Sequence, residues 1–159
     1  AQGKFGKWTE NDVRWLAAVG TDYGCISVRA DSPYKTLKDL MVAIKADPTK
    51  VAIGGGGTVG SQDWMKAAMT ARAAGVDPKS MRFVAFEGGG EAMTALQGGH
   101  IHVFTGDAAE TAQQIKAGSK VRILAVMADK RLANMMDPND MPFDMKRMSY
   151  GGFKVLVDL

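Results

Sequence analysis

The chain has 159 residues, 46% of them hydrophobic and 23% charged, enough apolar material for one ordinary domain with a real core. Its 20 lysines and arginines are spread beside 17 acids, for a net charge of +3, which argues against a nucleic-acid footprint, where cations cluster on one face. No run of about 18 apolar residues is present to cross a membrane, and Cys25, the only cysteine, excludes an internal disulfide and points to buried packing.

Residues 1–12 are polar and carry no clear period, so they read as a leading segment. Residues 13–19 and 24–30 are apolar and partly β-branched, separated by Gly20-Thr21-Asp22, which predicts two strands or one strand and its continuation. Trp8 and Trp15 stand before the strongly patterned part and are expected to pack against it or against a neighbouring unit. Thr36 with Asp39 forms a capping-box pattern ahead of Leu37, Leu40, Met41 and Ile44, the apolar stripe of a helix that Asp47-Pro48 stops.

A short apolar run then enters Gly54, Gly55, Gly56 and Gly57. Ser61 suits the N-cap of a helix over 61–74 that buries Trp64, Met65, Ala68, Met69 and Ala71, and Gly75 lies where a left-handed C-terminal residue belongs. The pattern recurs twice. A strand over 81–86 ends in Glu87 to Gly90 before a helix over 91–97 burying Ala92, Met93 and Leu96. A strand over 101–104 is followed by a Thr105-Gly106 turn, and Asp107 with Glu110 can cap a helix burying Ala108, Ala112 and Ile115. Residues 121–127 read as a further strand. Beyond Asp129 the pattern weakens through Pro138 and Pro142, so 133–159 reads as an irregular segment and one terminal strand over 153–159, an ending expected of a piece of a larger protein.

Strands alternating with helices predict an α/β fold of three layers, with a mainly parallel or mixed sheet and helices on both faces. Loops leaving the carboxyl ends of parallel strands gather at one sheet edge, the usual ligand position in such sheets. Glycine-containing turns at 54–61, 87–90 and 105–107 are therefore expected to converge there. Glycines between a strand and a helix bring bare N–H groups and a positive dipole end together, which favours an anion.

The P-loop pattern fails because Ser61 stands at its lysine position. The dinucleotide fingerprint is met literally by Gly55, Gly57 and Gly60, with Glu87 as the ribose acid, so a Rossmann-like domain of an oxidoreductase is the alternative reading. Asp63 in the first helical turn opposes it by repelling a pyrophosphate. His100 and His102, two apart in the expected strand, would share one face, but two ligands do not make a metal site. Solvent-facing or edge histidines are expected instead, and Met41, Met65, Met69 and Met93 are assigned to core packing. Ser61, Glu87 and Asp107 without an imidazole make a poor hydrolase, so no catalytic residue, metal or cofactor is assigned.

Six blocks in order carry a resemblance: SPYKTLKDL at 32–40, GGGGTVGSQD at 54–63, AAGVDP at 73–78, FEGGGEA at 86–92, ALQGGH at 95–100 and IKAGSKVRILAV at 115–126. Together they resemble the substrate-binding proteins of tripartite tricarboxylate transporters, the Bug or TctC family, over about 13–132. The resemblance implies a periplasmic, non-enzymatic receptor that hands a small carboxylate to membrane transporter subunits. It implies two α/β lobes of the type II periplasmic-binding-protein kind closing on the ligand, of which this chain holds one. Carried over by position, the ligand-facing residues are Gly57, Thr58, Gly60, Ser61, Gln62, Gly89 and Gly90, together with Gly106 and Asp107. Residues 135–150 depart from the family pattern. If the terminal apolar runs are inter-lobe strands, their unpaired edges favour a dimer of the isolated lobe.

Overall fold

The computed structural model describes residues 10–12, 14, 16 and 23–128, and the backbone of 145–150 and 153–158. Of the strand expected over 13–19 only Arg14 and Leu16 are described, both exposed and neither in a strand; its other residues and the two tryptophans Trp8 and Trp15 lie outside the described residues. Among the described residues there are seven strands: β1 (Gly24–Arg29), β2 (Ile53–Gly56), β3 (Phe83–Phe86), β4 (Val103–Asp107), β5 (Val121–Met127), β6 (Met145–Tyr150) and β7 (Phe153–Asp158). The same described residues hold four α-helices: α1 (Leu37–Ala46), α2 (Gln62–Ala73), α3 (Gly89–Gln97) and α4 (Ala108–Lys116).

They form one sheet in the order β3-β2-β4-β1-β5-β7-β6. It is mixed rather than mainly parallel: β2 runs parallel to β3 and β4, whereas β1 is antiparallel to both β4 and β5. The handedness of crossovers then places the helices. Going from β2 to β3 moves one way along the sheet and going from β3 to β4 moves the other, so two right-handed connections must lie on opposite faces. The buried clusters agree with this. Leu37, Leu40 and Ile44 of α1 pack with Ala67, Ala68 and Ala71 of α2 over Ile26, Val28, Ile53 and Val103. Ala92, Met93 and Leu96 of α3 cover Ala52, Phe104 and Val121 from the other side, with Ile115 of α4 against them. The adjacent residues Val103 and Phe104 thus serve opposite cores, as alternation along a strand requires. A shift of pairing between Ile26↔Ala125 and Ser27↔Ile123 leaves Leu124 as an extra residue, which lets Leu124 and Ala125 both reach the α1–α2 core.

The local signals act where they were read. Thr36 Oγ1 accepts from Asp39 N–H at 3.2 Å, and Asp39 Oδ2 accepts from Thr36 N–H at 2.9 Å. Ser61 Oγ accepts from Trp64 N–H at 3.2 Å, and Gly75 has φ +79°. Several boundaries differ: β3 starts at Phe83 and β4 at Val103, two residues later than expected in each case. β2 runs on through Gly54, Gly55 and Gly56, and β4 includes Thr105 and Gly106, which were expected to turn, because both pair with β1. Helix α3 starts two residues early, at Gly89. The stretch 145–150, expected to be irregular, is a strand pairing with β7 from Met145↔Asp158 to Tyr150↔Phe153.

Met65 is also corrected. It is 47% exposed, because α2 turns Lys66, Ala67, Thr70 and Ala71 inward instead. His100 and His102 precede β4 rather than standing in it; both are exposed, and His102 Nδ1 accepts from Ala52 N–H at 3.0 Å. Cys25 is buried as expected, with Sγ 3.4 Å from Ser27 Oγ and 3.3 Å from Thr111 Oγ1.

Candidate anion-binding edge

Because β2, β3 and β4 run in the same direction, the helices that follow them, α2, α3 and α4, all start at one sheet edge. Their turns touch. A Cβ built on Gly56 would lie 3.2 Å from Gly88 C and Gly89 N, so the end of β2 rests on the start of α3. Glu110, in the first turn of α4, brings Oε2 to 3.1 Å from the Cβ position of Gly89.

The glycines here have two different reasons. Gly54, Gly55 and Gly56 lie within β2, where side chains would collide with Ile101 and Phe86, with Asp63 and Thr105, and with the Gly88–Gly89 peptide, respectively. Only Gly57 and Gly60 of this stretch have positive φ, +76° and +90°, and they shape the turn itself. Gly57 N–H donates to Phe86 O at 2.7 Å, Ser61 Oγ donates to Gly56 O at 3.0 Å and Ser61 N–H to Thr58 O at 2.9 Å. Among the described residues, the N–H groups of Thr58, Gly60 and Gln62 have no hydrogen-bond acceptor. Thr58 and Gln62 are exposed, and Gly57, Gly60 and Ser61 half-buried. Gly89 and Gly90 open α3 behind Gly88, so their N–H groups are first-turn donors as well.

An N–H beside this set, that of Gly56, is already occupied by an anion of the protein's own. Asp63 Oδ2 accepts from Gly56 N–H at 2.7 Å, and its other oxygen receives Lys66 Nζ at 2.8 Å. Lys66 also donates to Asp107 Oδ1 at 2.8 Å and to Gly106 O at 3.1 Å. Burial by itself would push the Lys66 ammonium down, but hydrogen bonds to Asp107 and Asp63 outweigh it and hold its pKa above the ordinary lysine value. The side chains are 6% (Lys66), 14% (Asp63) and 38% (Asp107) exposed. Breaking such a buried pair costs about 3–5 kcal/mol, and less on the solvent-screened Asp107 side.

Asp107 is therefore the N-cap of α4 by position but makes no side-chain cap bond, contrary to the capping expected of it with Glu110. Gly106 is buried: its carbonyl serves Lys66, and the Phe104 ring lies where its Cβ would be. Lys66 was not anticipated. The signal available was a lysine three residues after one of two aspartates that topology brings to the same edge.

The model of the TctC family, described as the tripartite tricarboxylate transporter family receptor, matches residues 7–142. The chain belongs to the TctC family. This TctC-family chain is similar to a TctC solute-binding protein from Polaromonas, with 34% identity and a TM-score of 0.62, the match covering 72% of this chain and 37% of that one. The periplasmic binding protein BugD matches at 27% identity and TM-score 0.59, covering 69% and 35%. MatC from Rhodopseudomonas palustris, solved with bound malate, matches at 21% identity and TM-score 0.61, covering 69% and 36%, a likeness of fold. No curated protein matches. The chain spans little more than a third of the length of these structures. The family is one of periplasmic solute-binding receptors, not of enzymes, which removes the dinucleotide-dependent oxidoreductase as a reading.

Proposed function

We propose that this chain forms one wall of a periplasmic receptor that captures a small carboxylate for the membrane subunits of a tripartite tricarboxylate-type transporter. The observation that carries the reading is the group of N–H donors of Thr58, Gly60, Gln62, Gly89 and Gly90 at one sheet edge, beside a Gly56 N–H that already holds a carboxylate. Backbone donors and helix N-termini recognise a carboxylate without chemistry, which suits capture and release. Ser61 acts by holding the turn through Gly56 O, and Asp107 borders the ligand with its charge balanced by Lys66. Malate, the ligand in MatC, is the natural first probe.

Calorimetric titration of the chain with malate, succinate and citrate, and with NAD and ATP, tests the reading. Saturable binding of a carboxylate and none of either nucleotide is expected. Binding of NAD or ATP with no carboxylate bound would overturn it.

A further inference from the structure

From the contacts of Lys66 we infer that this residue is a positioning residue of the anion-binding edge, tying the turn after β2 to the turn after β4 so that their donors face one ligand. The inference rests on the carboxylate reading above for its binding consequence, but not for its structural one. The geometry is specific. The ammonium spans two elements far apart in sequence, donating to Asp63 at the start of α2 and to Asp107 and the Gly106 carbonyl at the end of β4. Asp63 in turn holds Gly56 N–H, so the tie passes from β4 through Lys66 to the first residue before the turn. The start of β1 packs against the arrangement: the Lys66 stem lies where a side chain on Gly24 would be, its Cε 2.8 Å from that Cβ position. Gly24 pairs with Asp107 across β1 and β4, which places the stem and the second carboxylate on adjoining backbone.

Charge and position can be separated by substitution. Lys66→Met keeps the stem that packs on Gly24 and removes the ammonium. Lys66→Arg keeps a cation with a longer head. Lys66→Met with Asp63→Asn restores the net charge of the cluster, one negative, without restoring the tie, and also relieves the buried carboxylate that could prevent the single variant from folding.

The test measures malate affinity by titration, and amide hydrogen exchange at Gly56 and Ala108, on the whole chain and these variants. Ala108 N–H donates to Tyr23 O at 2.7 Å, so it reports the start of α4. The inference expects about a tenfold or greater loss of affinity in both variants lacking the ammonium, corresponding to about 1.4 kcal/mol. It expects recovery in Lys66→Arg, and faster exchange at Gly56 and Ala108 together while Ile44 stays protected. Wild-type affinity in the folded charge-restored variant would overturn it, since charge alone would then explain Lys66. Unchanged exchange at both amides in the Lys66→Met variants would overturn the tie whether or not malate binds. Failure of wild-type to bind any carboxylate, with exchange responding as described, would instead overturn the carboxylate reading and leave the tie standing.

Discussion

Replacing Gly55 with alanine puts one methyl group into a place already filled from two sides. Its Cβ would stand 2.6 Å from Asp63 Cβ and 2.9 Å from the Thr105 carbonyl oxygen, against the roughly 3.5–4.0 Å that carbon atoms prefer. Thr105 cannot yield, because it is buried in β4, paired with Ile26 of β1, and its Oγ1 bonds Gly54 O at 3.3 Å. Relief must come from α2, and moving its first turn pulls Asp63 from both Gly56 N–H and Lys66. Overpacking costs about 1–3 kcal/mol, and with one contact on backbone the upper end applies. At about 2–4 °C per kcal/mol for a chain of this size, the midpoint falls by about 6–12 °C. Thermal unfolding followed by far-UV circular dichroism measures it. Gly90→Ala is the control: nothing lies within 4 Å of its Cβ position and it stands in α3, so it leaves the midpoint unchanged or raises it. A change under about 2 °C for Gly55→Ala would refute the assignment of that glycine to close packing.

Gly60→Val meets no neighbour but forces a β-branched residue to φ +90°, so it reshapes the turn at a cost of about 2 kcal/mol and should abolish malate binding; unchanged affinity in a folded variant would remove this turn from the site. Hydrogen bonds from Thr36 hold the Asp39 carboxyl below its ordinary pKa. Its contribution is therefore fully present above the unfolded value of about 4 and lost as pH falls through the lower folded value, and urea midpoints of wild type and Asp39→Asn should converge there. Burial pushes the Cys25 thiol up, against hydrogen bonds with Ser27 and Thr111, so the folded chain should resist iodoacetamide at about pH 8 and react on unfolding; rapid labelling of the native chain would contradict the burial.

What was legible in the sequence is what residues close in sequence decide. The Thr36–Asp39 box, the Ser61 cap and the Gly75 turn act within a few residues, and each stands where its pattern placed it. The convergence of the three strand-to-helix turns was legible too, since it follows from chain order and parallel pairing. What was not legible depends on partners distant in sequence. Gly54 to Gly56 were recognised as special for their bare backbone, but the close contacts that their Cβ positions would make with Ile101, Thr105 and Gly88, among others, were not readable. The inward face of α2 was misjudged because Lys66 is buried by two aspartates that neutralise it, and Met65 was thereby assigned inward. Strand β6 was missed because Met145, Lys146 and Arg147 lack apolar alternation; Gly151-Gly152, two residues between Tyr150 and Phe153, was the hairpin signal available.

In the proposed function a carboxylate is held by the main-chain donors of two helix-opening turns. The most direct measurement is an amide-resolved nitrogen–proton NMR titration of the chain with malate. Saturable shifts are expected at Thr58, Gly60 and Gln62 together with Gly89 and Gly90, with Ile44 in α1 unmoved. Saturable shifts confined to residues away from both turns would contradict it.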